Sequence, residues 1–169
     1  MAMEAEHPWR VEVQMDEKEF IDKASAANTF EIEAGKIAAA GADDDEVVDF
    51  AQMMIDDHTK AGEELRAALD KEGASAPRDR LERAQLEQLN RLRSMSGPEL
   101  DAEYVRQQVV AHGETVDLFS KFAGSAEAGP VREFAEDTLP VLQRHQDAIL
   151  DIFEDLGGDD GALEGGLSS

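Results

Sequence analysis

The stretch from Phe50 to Leu65, FAQMMIDDHTKAGEEL, commits this chain to packed helices and sets a histidine inside them. Val47, Ala51, Met54, His58, Ala61, Leu65 and Ala68 recur at intervals of four and three, which is the spacing of one face of an α-helix. His58 stands on that face where an apolar residue belongs, so the pattern points it into the core.

Three further long segments carry the same period. The first runs from Asp16, which suits an N-cap, to Ala40 on Phe20, Ala24, Ala27, Glu31, Ala34 and Ala38, with Glu31 interrupting an otherwise apolar stripe. Gly41 ends it, and Asp43 to Asp45 supply a cap and negative charge for the second helix, Asp45 to Glu72, which stops at Gly73. Ser96-Gly97-Pro98-Glu99 reads as a capping box that opens the third, whose inward face is Asp101, Val105, Gln108, His112, Thr115 and Phe119. The fourth spans Pro130 to Leu156 on Val131, Phe134, Thr138, Leu142, His145, Ile149 and Phe153. Pro140 lies within it and should kink it one turn before His145.

Between the second and third long helices, Arg78 to Met95 forms an additional amphipathic helix with Leu81, Leu89 and Leu92 inward. It holds five of the ten arginines, expected to pair with the acidic surface around them. Residues 1–15 lack a period and read as a tail, 16–156 as one four-helix bundle domain, and 157–169 as a disordered C-terminal tail. With few aromatics and abundant Ala, Leu, Glu and Gln, the fold class is all-α.

Counted from each helix start, Glu31, His58, His112 and His145 all fall near mid-length. In a bundle that height is the same whether a helix runs up or down, so one carboxylate and three imidazoles should meet at one level of the core. A helix stripe takes roughly three of seven positions, so three inward histidines by chance is about one in thirteen. The set suits a single transition-metal ion such as iron, zinc, copper or manganese, because neutral imidazole and carboxylate ligate these and a cation offsets the cost of a buried glutamate. Asn28, Asp57, Gln108, Thr115 and Thr138 are candidates to orient the rings through their other nitrogens. The alternative keeps the geometry without metal, as a buried Glu-His-His-His hydrogen-bond network that fixes helix register. The serines fall in loops, helix ends and tails apart from Ser25 and Ser120, neither of which has a histidine at helical spacing, so no hydrolase nucleophile can be named, and whether the chain is an enzyme stays open.

The formal net charge is -23 and is spread along the whole chain, which argues against nucleic acid and anionic membranes as partners. Absence of cysteine excludes thiolate metal sites and disulfides. No run approaches the roughly 20 apolar residues of a membrane span, and the N-terminal stretch lacks a signal peptide's apolar middle. Oligomeric state is not readable.

Four segments, FIDKASAANTFEIEAGKIA, FAQMMIDDHTKAGEEL, LDAEYVRQQVVAH and FAEDTLPVLQRH, each contain one of the proposed ligands, and together they resemble a bacterial family called domain of unknown function 4142, a ferritin-like helical group. The resemblance covers about residues 18–150. It implies a ferritin-like bundle with a long crossover between the second and third long helices, and export to the periplasm or cell surface, with a cytoplasmic chain as the alternative. The chain departs from the Glu-x-x-His pairs of di-iron ferritin-like proteins, because Ile55, Val109 and Leu142 stand three residues before the histidines. One metal therefore fits better than two, serving storage, sensing or modest redox chemistry; the alternative is a structural or stress-associated bundle.

Overall fold

The computed structural model describes residues 15–78 and 80–158; the expected N-terminal tail and nearly all of the C-terminal one lie outside them. Among the described residues five helices follow one another: α1 (Glu17–Gly41), α2 (Asp45–Glu72), α3 (Arg83–Arg93), α4 (Gly97–Ser125) and α5 (Pro130–Asp155). The four long ones form the bundle and α3 lies in the connection from α2 to α4, packed on α1 and α4. No strand occurs among the described residues.

The apolar side chains collect in two clusters. One contains Ala34 and Ala38 of α1, Val47 and Phe50 of α2, Leu89 and Leu92 of α3, Leu100 and Tyr104 of α4, and Ile149 and Phe153 of α5. The other contains Phe20 and Ala24, Leu65 and Leu69, Phe119 and Phe122, and Val131 and Phe134. Helices α1 and α5 therefore run from the second cluster to the first, and α2 and α4 from the first to the second. Two antiparallel hairpins joined by one long crossover result, the ferritin-like connectivity. Buried Glu31, His58, Gln108, His112, Thr138 and His145 fall between the clusters and form a polar layer at mid-height.

Local chemistry explains most helix ends. Asp44 caps α2 by accepting from the Glu46 and Val47 amides at 2.9 and 3.4 Å. Gly73 closes α2 at φ 69°, a left-handed conformation open to glycine. Asp16 stands at the N-cap of α1, but its side chain makes no cap hydrogen bond. Two expectations are corrected. Ser96 occupies the N-cap of α4 without a side-chain cap bond, because Gly97 turns through φ 59° instead of entering the helix directly. Helix α3 starts at Arg83 rather than Arg78, and its box is Glu82 with Gln85, whose Oε1 accepts from the Glu82 amide at 2.8 Å. Helix α5 continues through Pro140.

Polar contacts fasten the connections. Asp101 of α4 is buried and accepts from the backbone amides of Asp43 and Asp44 at 2.9 and 3.2 Å, holding the α1–α2 turn onto α4. Glu103 pairs with Arg91 of α3 at 2.9 Å and with Arg106 at 2.7 Å, so one of the arginines of the basic segment fastens the crossover.

Candidate metal centre

Each of the three inward histidines comes from a different helix: His58 from α2, His112 from α4 and His145 from α5. All are buried, with at most 5% of their surface exposed. Their ring centroids form a nearly equilateral triangle with sides of 5.6, 5.6 and 6.0 Å, and one ligand atom from each lies within 4.8 Å of the other two.

The outer nitrogen of every ring meets an acceptor. Asn28 of α1 donates its Nδ2 to the His58 carbonyl oxygen at 2.6 Å, which turns its Oδ1 toward the ring to accept from His58 Nδ1–H at 2.8 Å. His112 Nδ1–H donates to the backbone oxygen of Gln108 at 3.1 Å. His145 Nε2–H donates to Asp57 Oδ2 at 2.8 Å. A neutral imidazole that donates from one nitrogen carries a lone pair on the other. Those other nitrogens, His58 Nε2, His112 Nε2 and His145 Nδ1, are buried and have no hydrogen-bond partner.

Lone pairs on three clustered rings cannot hydrogen-bond to one another, because none brings a proton. A proton shared among them would place positive charge where burial opposes it. The His58 pKa is pushed well below the ordinary imidazole value by burial and then by the neighbouring His112 and His145, and burial lowers that of His145 despite the hydrogen bond to Asp57. Three imidazole nitrogens clustered in the buried core could hold a metal ion. Zinc would sit about 2.0–2.1 Å from each nitrogen, so the triangle would draw in on binding.

Glu31 is also buried at the same level, but the carboxylate stands apart from the three nitrogens that come together. Its Oε1 is 4.0 Å from His112 Nδ1, the outer nitrogen of that ring, and its Oε2 has no partner. Burial raises its pKa, opposed by His112 and by the Gln108 amide. Of the expected orienting residues, Asn28 and Asp57 hold rings, Gln108 does so through its backbone rather than its side chain, and Thr115 donates to the Ala111 carbonyl at 2.7 Å. Thr138 is 7% exposed and its hydroxyl has no partner.

Two cavities adjoin the triad. A small one of about 30 Å³ lies toward the Phe119 cluster and is bounded by His58, His145 and Thr138. A groove of about 450 Å³ opens to the surface along α1 and α2, past Ser25, Gly62 and Arg66, and reaches Asn28 and His58 from outside.

The chain matches, over residues 2–152, the family described as a domain of unknown function (DUF4142). Among solved structures it is similar to a DUF305 protein from Streptomyces coelicolor, described as secreted, at 14% identity and a TM-score of 0.71, over 86% of this chain and 95% of the other. At that identity the likeness is one of fold. A comparison with curated proteins finds no match. No helix among the described residues is long and apolar enough to cross a membrane.

Proposed function

From a chain that belongs to the DUF4142 family, whose description carries no activity, we propose a function resting on its geometry: it binds one transition-metal ion between His58, His112 and His145. What supports this reading is a single arrangement, three clustered buried imidazoles that each keep one nitrogen unpartnered while the other donates to a fixed acceptor. Neutral imidazoles suit iron, zinc or copper, with manganese less favoured by so much nitrogen. Glu31 acts as the compensating carboxylate beside His112, lowering the cost of a cation in the core, and becomes a direct ligand only if its side chain turns inward.

Three protein ligands leave coordination positions open, as in metal sites that accept a water or a substrate, whereas four would close a tetrahedral ion. The reading therefore favours sensing or modest redox chemistry over inert storage. The secreted Streptomyces relative in fold suits work outside the cytoplasm, which fractionation of the native cells would test.

The deciding experiment is elemental analysis by mass spectrometry of the untagged protein, purified without chelator. About one equivalent of a transition metal per chain is expected, lost in His112→Ala while circular dichroism stays helical. Failure to take up iron, zinc, copper or manganese after reconstitution would sink the reading and leave the layer as a polar device for helix register.

A further inference from the structure

The small cavity beside the triad has walls unlike those of the triad itself. Apart from His58, His145, Asn28 and Asp57 on the metal side, it is enclosed mainly by Ala24, Ala61, Leu65, Phe119, Phe134 and Leu142. One lining group differs. Thr138, more than nine-tenths buried, keeps its hydroxyl free of any partner, whereas Thr59 and Thr115 both donate to the carbonyl one turn back, at 2.6 and 2.7 Å. Its hydroxyl is therefore free to donate to a molecule in the cavity.

Size and polarity narrow what that molecule is. A volume of about 30 Å³ compares with the roughly 10–15 Å³ that one water demands on the same measure, so a molecule of two or three heavy atoms fits. Water fills a cavity stably when it finds two to four polar partners. Once an ion takes His58 Nε2 and His145 Nδ1, the hydroxyl of Thr138 is the one lining side-chain atom left both buried and uncommitted, too few partners for the walls alone to hold a water. The lining includes His58 and His145 but not His112, so the chamber lies along the His58–His145 edge of the triangle.

Resting on the metal reading above, we propose that this chamber seats a small neutral diatomic ligand of the dioxygen and nitric oxide class. The ligand binds end-on to the ion held by the three histidines, and its outer atom accepts a hydrogen bond from Thr138 Oγ1. Apolar walls disfavour charged competitors and the hydroxyl polarises the bound molecule. Binding is reversible and transfers no atom, so no further reactant is required.

The test loads the full chain with iron(II) under anaerobic conditions and titrates nitric oxide, followed by electron paramagnetic resonance. One equivalent per iron is expected to bind. Thr138→Val keeps the shape and removes the donor, and should weaken binding about tenfold, the worth of one hydrogen bond. Ala61→Leu fills the chamber from α2 and should abolish binding at unchanged iron content. Copper(I) and carbon monoxide, read by infrared stretch, serve the same purpose if the chain takes copper instead. A loaded protein that holds its metal through His112 yet binds no diatomic, or binds it equally in both variants, overturns the chamber and leaves the metal reading standing. A chain that takes up no metal overturns both.

Discussion

Asp57 and Asn28 do for their histidines what no residue within the triad can do, which is to decide which nitrogen carries the proton. Replacing Asp57 by Leu frees His145 Nε2–H from its acceptor and lets the ring turn. Metal affinity, measured by competition with a chromophoric chelator, should fall about 10–100-fold, the usual effect of losing such an outer partner. Protonation gives a second prediction. In the unfolded chain the imidazoles take up protons as pH falls through about 6.5, whereas buried His58 and His145 resist to lower pH. The unfolded state then binds more protons, so the metal-free protein loses stability as pH falls below that value. Urea midpoints near pH 7.5 and near pH 5.5 would register this, and His58→Leu should shrink the difference. The inward histidines and Glu31 were legible from stripe position alone. Their pairings were not: Asn28 with His58, Asp57 with His145 and Glu31 with His112 each cross between helices. One-chain periodicity fixes a residue's height and face but not which neighbour it meets.

The helices themselves illustrate the same division between local and non-local signals. Glycine inside α1 would ordinarily cost about 0.5–1 kcal/mol relative to alanine, yet a Cβ on Gly35 would lie 2.9 Å from the Ala51 carbonyl oxygen and 3.0 Å from Ile55 Cγ1. The close approach of α1 and α2 outweighs propensity at that point, so Gly35→Ala should destabilise by about 1–3 kcal/mol in urea unfolding. Gain in stability would refute the crossing as drawn. The four long helices were readable to within a residue or so at most ends, because their stripes are long and Gly and Asp mark their limits. The start of α3 and the cap of α4 were not. Both depend on backbone turns at Glu82 and Gly97 that short sequence patterns suggest only loosely. Connectivity was legible chiefly through the family resemblance, since period alone does not order helices in space.

At the scale of the molecule, a formal charge of -23 on 169 residues means that the folded chain repels itself. Sodium chloride should therefore raise the thermal midpoint of the metal-free protein through screening, and a midpoint indifferent to salt would refute a net repulsive surface. A bound ion acts differently. At about 100 times its dissociation constant it adds about 2.7 kcal/mol, worth roughly 5–10 °C in a chain of this size, and scanning calorimetry with and without chelator would read the difference. Held by His58, His112 and His145 as proposed, it would tie together three helices far apart in sequence. The surface groove that reaches Asn28 adds a matter of timing. Asn28 lines that groove beside His58 and holds His58 in register. An ion that entered along it would pass the same amide that steadies His58, which would couple admission to the loosening of that ring. Rates of exchange with solvent should then follow the rotation of one side chain, and Asn28→Ala should release its ion to a chelator far faster than Ser25→Ala at the groove's mouth.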